Sequence, residues 1–63
     1  MQLIKVHSTA IREVGYDGDT LVVIFHHGGC YDHPGVPPSV YRDFMQASSK
    51  GSYYARRIRG RYR

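Results

Sequence analysis

No tryptophan and only one cysteine, Cys30, occur in the 63 residues, and no acidic residue follows Asp43. A single cysteine excludes an intrachain disulfide and suits a reducing compartment better than a secreted one. Long apolar runs are absent too. The longest, Leu21 to Phe25, falls far short of the roughly 20 residues a membrane-spanning helix needs. Met1 to Ala10 carries no apolar stretch behind a basic one, so no signal peptide is expected and the expected location is the cytoplasm. Repeats and low-complexity tracts are missing, and the chain reads as a single domain, 1–63. A domain this small buries only about 60% of its unfolded surface. Without a disulfide, its reinforcement would come from a bound partner or a second copy, so a homodimer is one expectation.

Charge is separated along the chain. Residues 1–47 hold Lys5, Arg12 and Arg42 against Glu13, Asp17, Asp19, Asp32 and Asp43. The basic C-terminal segment, 50–63, holds Lys50, Arg56, Arg57, Arg59, Arg61 and Arg63 and no acid. Tyr53, Tyr54 and Tyr62 stand among those arginines. A slightly acidic body with one strongly basic end points to an anionic partner, above all nucleic acid.

Ile11 to Tyr16 reads as a strand, followed by an Asp17-Gly18-Asp19 turn. Thr20 to Phe25 is the strongest strand. Leu21, Val23 and Phe25 share one face and Val22 and Ile24 the other, so cover is expected on both sides. One cover would be a helix, the other the C-terminal segment or a second copy. Two hairpin registers fit His26-His27-Gly28-Gly29. A two-residue loop sets Cys30 opposite Phe25. A three-residue loop sets Tyr31 opposite Val23 and keeps Asp32 off the Leu21/Val23/Phe25 face, and is preferred. The third strand is then Cys30 to His33.

Pro37-Pro38-Ser39 opens a helix, where proline's missing N–H is harmless. Val40, Phe44 and Ala47 form its apolar stripe, and Gly51 is the expected stop. A second helix is expected from Ser52 to about Arg59, with Tyr54, Ile58 and Tyr62 turned inward. The predicted class is α+β: a three-stranded antiparallel meander followed by two short helices packed on one face.

The order of residues resembles the KTSC domain, a module found alone in bacteria and phages and at the C-terminus of some lysyl-tRNA synthetases. The matching pieces are Ser8-Thr9-Ala10-Ile11, Val14-Gly15-Tyr16-Asp17, Leu21-x-Val23-x-Phe25-x-x-Gly28, Tyr31, Val36-Pro37, Ala47-x-Ser49-Lys50-Gly51, Tyr53-Tyr54, and Ile58-Arg59 before Tyr62. The family's Tyr-x-Tyr is here Tyr31-Asp32-His33, and Tyr54 stands where Phe is usual. The resemblance implies no activity. Attachment to a tRNA synthetase implies RNA as a partner, with tRNA among the candidates.

Candidate chemistry is sparse. His26, His27, Cys30 and His33 lie close in sequence, but adjacent strand residues face opposite ways, and zinc sites draw ligands from two separated pairs. No metal or cofactor is expected. Cys30 lacks a base on its own face, since alternation sends His33 to the other, so it reads as a small strand residue. No nucleophile elbow or phosphate loop is present, and the chain is read as non-enzymatic. Tyr31 and His33 read as half-buried aromatics on the Phe25 face. The expected nucleic-acid-binding residues are Lys50, Arg56, Arg57, Arg59, Arg61 and Arg63, on phosphates, with Tyr31 and Tyr53 stacking on bases. The alternative is a protein-interaction or homo-oligomerisation module without nucleic-acid binding.

Overall fold

A computed structural model describes residues 2–62. Four antiparallel strands lie in chain order, β1 (Leu3–Lys5), β2 (Ile11–Asp17), β3 (Thr20–Phe25) and β4 (Cys30–His33). Helix α1 (Pro38–Gln46) and helix α2 (Lys50–Tyr53) follow, and α2 runs directly into a π-helical turn, Tyr54–Ile58. The class is α+β as expected, with one strand more than the predicted three. The extra strand, β1, is too short to show a period. Its pairing with β2, Leu3 opposite Gly15 and Lys5 opposite Glu13, defines it. Among the described residues no helix is long and apolar enough to cross a membrane.

Turn chemistry sets the registers. Asp17 pairs with Thr20 across a two-residue turn, and Gly18 there has φ +65°. A positive φ at the first of two turn residues is the pattern that calls for glycine. At the next hairpin Phe25 N–H donates to Gly29 O at 2.9 Å, and Val23 pairs with Tyr31. This is the preferred three-residue loop, and it places Asp32 opposite Val22, away from the core.

One irregularity decides the core. The β2–β3 register slips between Ile11 and Glu13, leaving Arg12 as an extra residue. In an unbroken strand Ile11 and Val14, three apart, would face opposite ways. The bulge lets both point inward, fully buried, while Arg12 stays exposed. The core therefore joins Ile11, Val14, Leu21 and Val23 of the sheet with Val36, Phe44 of α1, and Tyr54 and Ile58 of the π-helical turn. Fixing α1 against the sheet, the Tyr16 ring stacks on Tyr41 at 4.4 Å, and the Tyr16 hydroxyl donates to Val36 O. Val36 N–H in turn donates to Asp19 O at 2.8 Å, tying the β4–α1 loop to the first turn.

Three expectations need correction. Gly51 does not stop α1, which ends at Gln46; it sits inside α2, whose N-cap is Ser49. The Ser49 hydroxyl accepts from Ser52 N–H, so the serines before Gly51 start a helix rather than end one. Second, the C-terminal segment is not the cover of the opposite sheet face: it packs with α1 on one face, as the predicted class had it, because Tyr54 and Ile58 share one cluster with Phe44. Among the described residues no helix crosses the other face, where Leu3, Gly15 and Val22 align in register and Ile24 pairs with Glu13 and Cys30 beside them. Third, Tyr31 and His33 share a sheet face but not a burial: His33 is 7% exposed and Tyr31 51%.

Candidate nucleic-acid interface

The C-terminal segment is held by its apolar stripe. Tyr54 and Ile58 point into the core, four residues apart. Arg59 N–H donates to Tyr54 O at 2.8 Å, an i to i−5 bond that widens this turn. Gly60, at φ +79°, then bends the chain back, and Tyr62 N–H donates to Ile58 O at 3.1 Å. His33 completes the attachment. Its Nδ1 lies 2.7 Å from Tyr62 O and its Nε2 2.9 Å from the Tyr54 hydroxyl. A carbonyl only accepts, so Nδ1 donates to Tyr62 O, and in that tautomer Nε2 accepts from the Tyr54 hydroxyl.

With those residues turned inward, Arg56, Arg57, Arg59 and Arg61 are all exposed. Among the described residues the ion pair present is Arg12 with Glu13, at 3.3 Å, and no carboxylate neutralises the C-terminal arginines. Lys50 is half-buried and donates from Nζ to Ala47 O at 3.2 Å. It lines a polar hollow of about 470 Å3 with His7, Ser8, Thr9, Ser48 and Ser49. Arg63 lies outside the described residues.

The two expected stacking tyrosines sit differently. Tyr53 is half-buried, with its ring 5.8 Å from that of Phe44 and tilted against it. Tyr31 meets Phe25 edge-to-face at 5.7 Å and is otherwise open. A groove of about 720 Å3 runs between Tyr31 on β4 and the C-terminal segment, lined also by Phe25, Tyr54, Arg59 and Tyr62. Thus Tyr31 and Arg59 come together, Lys50 opens on the other hollow, and neither concavity is lined by Arg56 or Arg57. Burial pushes the Tyr54 hydroxyl above its ordinary 10.0, while the Arg59 charge pulls the other way and Tyr31 adds to the rise. Phe25, Tyr62 and His33 were not among the expected binding residues. The signal for His33 was its place in the family's Tyr-x-Tyr. Cys30 is a small strand residue of β4 as expected, and it is exposed, opposite Ile24 on the outer face. His26 approaches Ser8 O with Nε2 at 3.0 Å at the exposed surface, whereas His33 is buried.

The KTSC domain family matches residues 7–62. A lysine–tRNA ligase of Nostoc punctiforme is 33% identical over 63 residues, covering 97% of this chain but spanning only 11% of that protein. An uncharacterized protein of Stutzerimonas stutzeri is 32% identical over 56 residues, covering 86% of this chain and 79% of its own length. The crystal structure of a KTSC domain protein from Yersinia pestis is 36% identical, with a TM-score of 0.94 over 98% of this chain and 90% of that one. A match running from before β2 to Tyr62, repeated in a relative of nearly the same size and shape, places this chain in the KTSC domain family.

Proposed function

We propose that this domain is a small cytoplasmic RNA-binding module with no catalysis of its own. The reading rests on one observation: four arginines stand exposed on one anchored segment, unneutralised by the acidic body of the chain. Guanidinium groups bind phosphate oxygens in bidentate fashion, and arginine is the residue suited to that geometry. The likeness to part of a lysine–tRNA ligase supports RNA as the polyanion, with tRNA the first to try. Lys50 and Arg63 extend the same basic set in sequence, and Tyr31 and Tyr53 are the aromatics proposed to meet bases. The test is a gel-shift titration against tRNA and an unstructured RNA at several salt concentrations. Affinity falls with salt at a slope of about 0.7 per phosphate contacted on a single strand. Changing Arg56, Arg57, Arg59 and Arg61 to Ala flattens that slope; unchanged binding by this variant refutes the reading.

A second reading has its own observation. The outer sheet face carries Leu3 at 44% exposure and half-buried Ile24 beside the buried Gly15 and Val22, with no helix across it among the described residues. Association of two copies through that face would cover it. Light scattering decides: a strict monomer at high protein concentration removes the homodimer, and a dimer dissociated by changing the exposed Leu3 (Leu3→Lys) supports it.

A further inference from the structure

Tyr31 is exposed at one end of a cross-strand row whose middle is buried and whose other end, Ile4, is exposed too. It pairs with Val23, which pairs with Val14, and both valines are fully buried. The helical segments cover the two valines and, on β4, His33, and leave Tyr31 open. Opposite that open ring stand Arg59 and Tyr62, brought there by the widened turn at Tyr54–Ile58 and by the His33–Tyr62 hydrogen bond. The floor between them is aromatic. Phe25 meets Tyr31 at 5.7 Å and 86°, and Tyr54 at 5.1 Å and 76°. At about 720 Å3 the groove is of the size that holds small organic ligands, roughly 300–1,000 Å3.

Two features select the occupant. Aromatic walls favour a flat ring that can stack. Arg59, in the wall, has no ion-pair partner among the described residues, so the ring should arrive with an anion. Asp32 also borders the groove, but it pairs with Val22 and so belongs by register to the outer face. An aliphatic peptide side chain would leave the guanidinium unmatched, and a duplex keeps its bases stacked inside. We infer that this groove takes one unpaired nucleobase of a single-stranded RNA, stacked on Tyr31, with the adjoining phosphate on Arg59. It rests on the RNA-binding reading and specifies its substrate class: bases free of a helix. Arg56 and Arg57 then act outside the groove, on phosphates further along the strand.

The two layers separate experimentally. Tyr31→Ala truncates a half-exposed ring and leaves the buried core intact. It lowers affinity for an unstructured RNA between about 5- and 100-fold, the loss expected for one stacking aromatic, with the salt slope unchanged. Arg56→Ala with Arg57→Ala does the reverse, reducing the slope while leaving the groove as it was. In the labelled wild-type protein, adenosine 5′-monophosphate shifts the amides of Gly28, Tyr31, Arg59 and Tyr62, and ribose 5-phosphate leaves Tyr31 unmoved. If Tyr31→Ala binds RNA as wild type does while the arginine variant fails, the groove assignment falls and RNA binding stands. If wild type ignores RNA yet adenosine 5′-monophosphate still shifts these amides, the groove survives as a nucleotide site and the RNA reading falls. Shifts with a tyrosine-containing peptide but none with the nucleotide overturn the inference in favour of a protein partner.

Discussion

His33 and Tyr54 should be energetically coupled, and the coupling should control the C-terminal segment more than the sheet. The perturbation is a double-mutant cycle of His33→Phe and Tyr54→Phe. A six-membered ring suits both positions, since the family usually carries Tyr at the first and Phe at the second. Tyr54→Phe removes the hydroxyl 2.9 Å from Nε2 and leaves a buried imidazole nitrogen unpaired. That costs about 1–3 kcal/mol. His33→Phe strands the Tyr54 hydroxyl, for a similar loss, and also gives up the 2.7 Å bond to Tyr62 O, worth about 1 kcal/mol. The double variant contains neither the unpaired nitrogen nor the unpaired hydroxyl, so the two losses do not add. The sum of the single effects should exceed the double effect by about 2–3 kcal/mol, from the low end of the two stranded-group costs to the upper range of measured couplings. For a domain of this size total stability is on the order of 3–9 kcal/mol, so each single change is measurable. Urea denaturation followed by far-UV circular dichroism supplies the free energies, with equal m-values as the control. Hydrogen exchange gives the local readout. The amides of Arg61 and Tyr62, bonded to Ile58 O, should lose protection in His33→Phe beyond what global unfolding explains. Additivity within about 0.5 kcal/mol would refute the proposed hydrogen bond.

Three further outcomes follow from the same geometry. Burial raises the Tyr16 and Tyr54 hydroxyls above the ordinary 10.0, so the unfolded chain loses those protons first. Stability is therefore retained below about pH 10 and declines as pH rises through that value; a denaturation midpoint that stays flat up to pH 11 contradicts this. Phe44→Ala empties the centre of the single core and should lower stability by about 3–5 kcal/mol, leaving a large unfolded fraction visible by one-dimensional NMR. Gly60→Ala meets no atom within 4 Å, so its effect is purely the left-handed φ of +79°, about 1–2 kcal/mol, and appears as faster exchange at Tyr62 with the core strands unaffected.

Much of the fold was legible because local chemistry specified it. The Thr20–Phe25 strand, the glycine turn before it and the proline-led helix each carry their signal within a few residues. Even the hairpin register could be chosen, because a wrong register would put Asp32 on the core face. The failures share a cause. Leu3-Ile4-Lys5 has no period of its own and becomes a strand only by pairing with β2. Ser48 to Gly51 looked like a helix end because serine and glycine serve both starts and stops, and packing of Tyr54 and Ile58 decided in favour of a start. The bulge at Arg12 is visible only as a register slip against β3.

The candidate site divides the same way. Arginines at positions 56, 57, 59 and 61 announce a cationic end from composition alone, and inward tyrosine and isoleucine at four-residue spacing imply that the arginines face out. Their groove-side neighbour could not be read, because Tyr31 and Arg59 are far apart in the chain and meet across an aromatic floor.

By itself, the amino-acid order determined the charge separation, the strand faces and the anchored stripe of the C-terminal segment, since each depends on neighbours within one or two turns of backbone. Tertiary structure alone decided that Ile11 faces inward, that His33 is a buried tie and that Tyr31 stays open opposite Arg59. Those outcomes depend on which distant surfaces compete for the same core, and no local period encodes that competition.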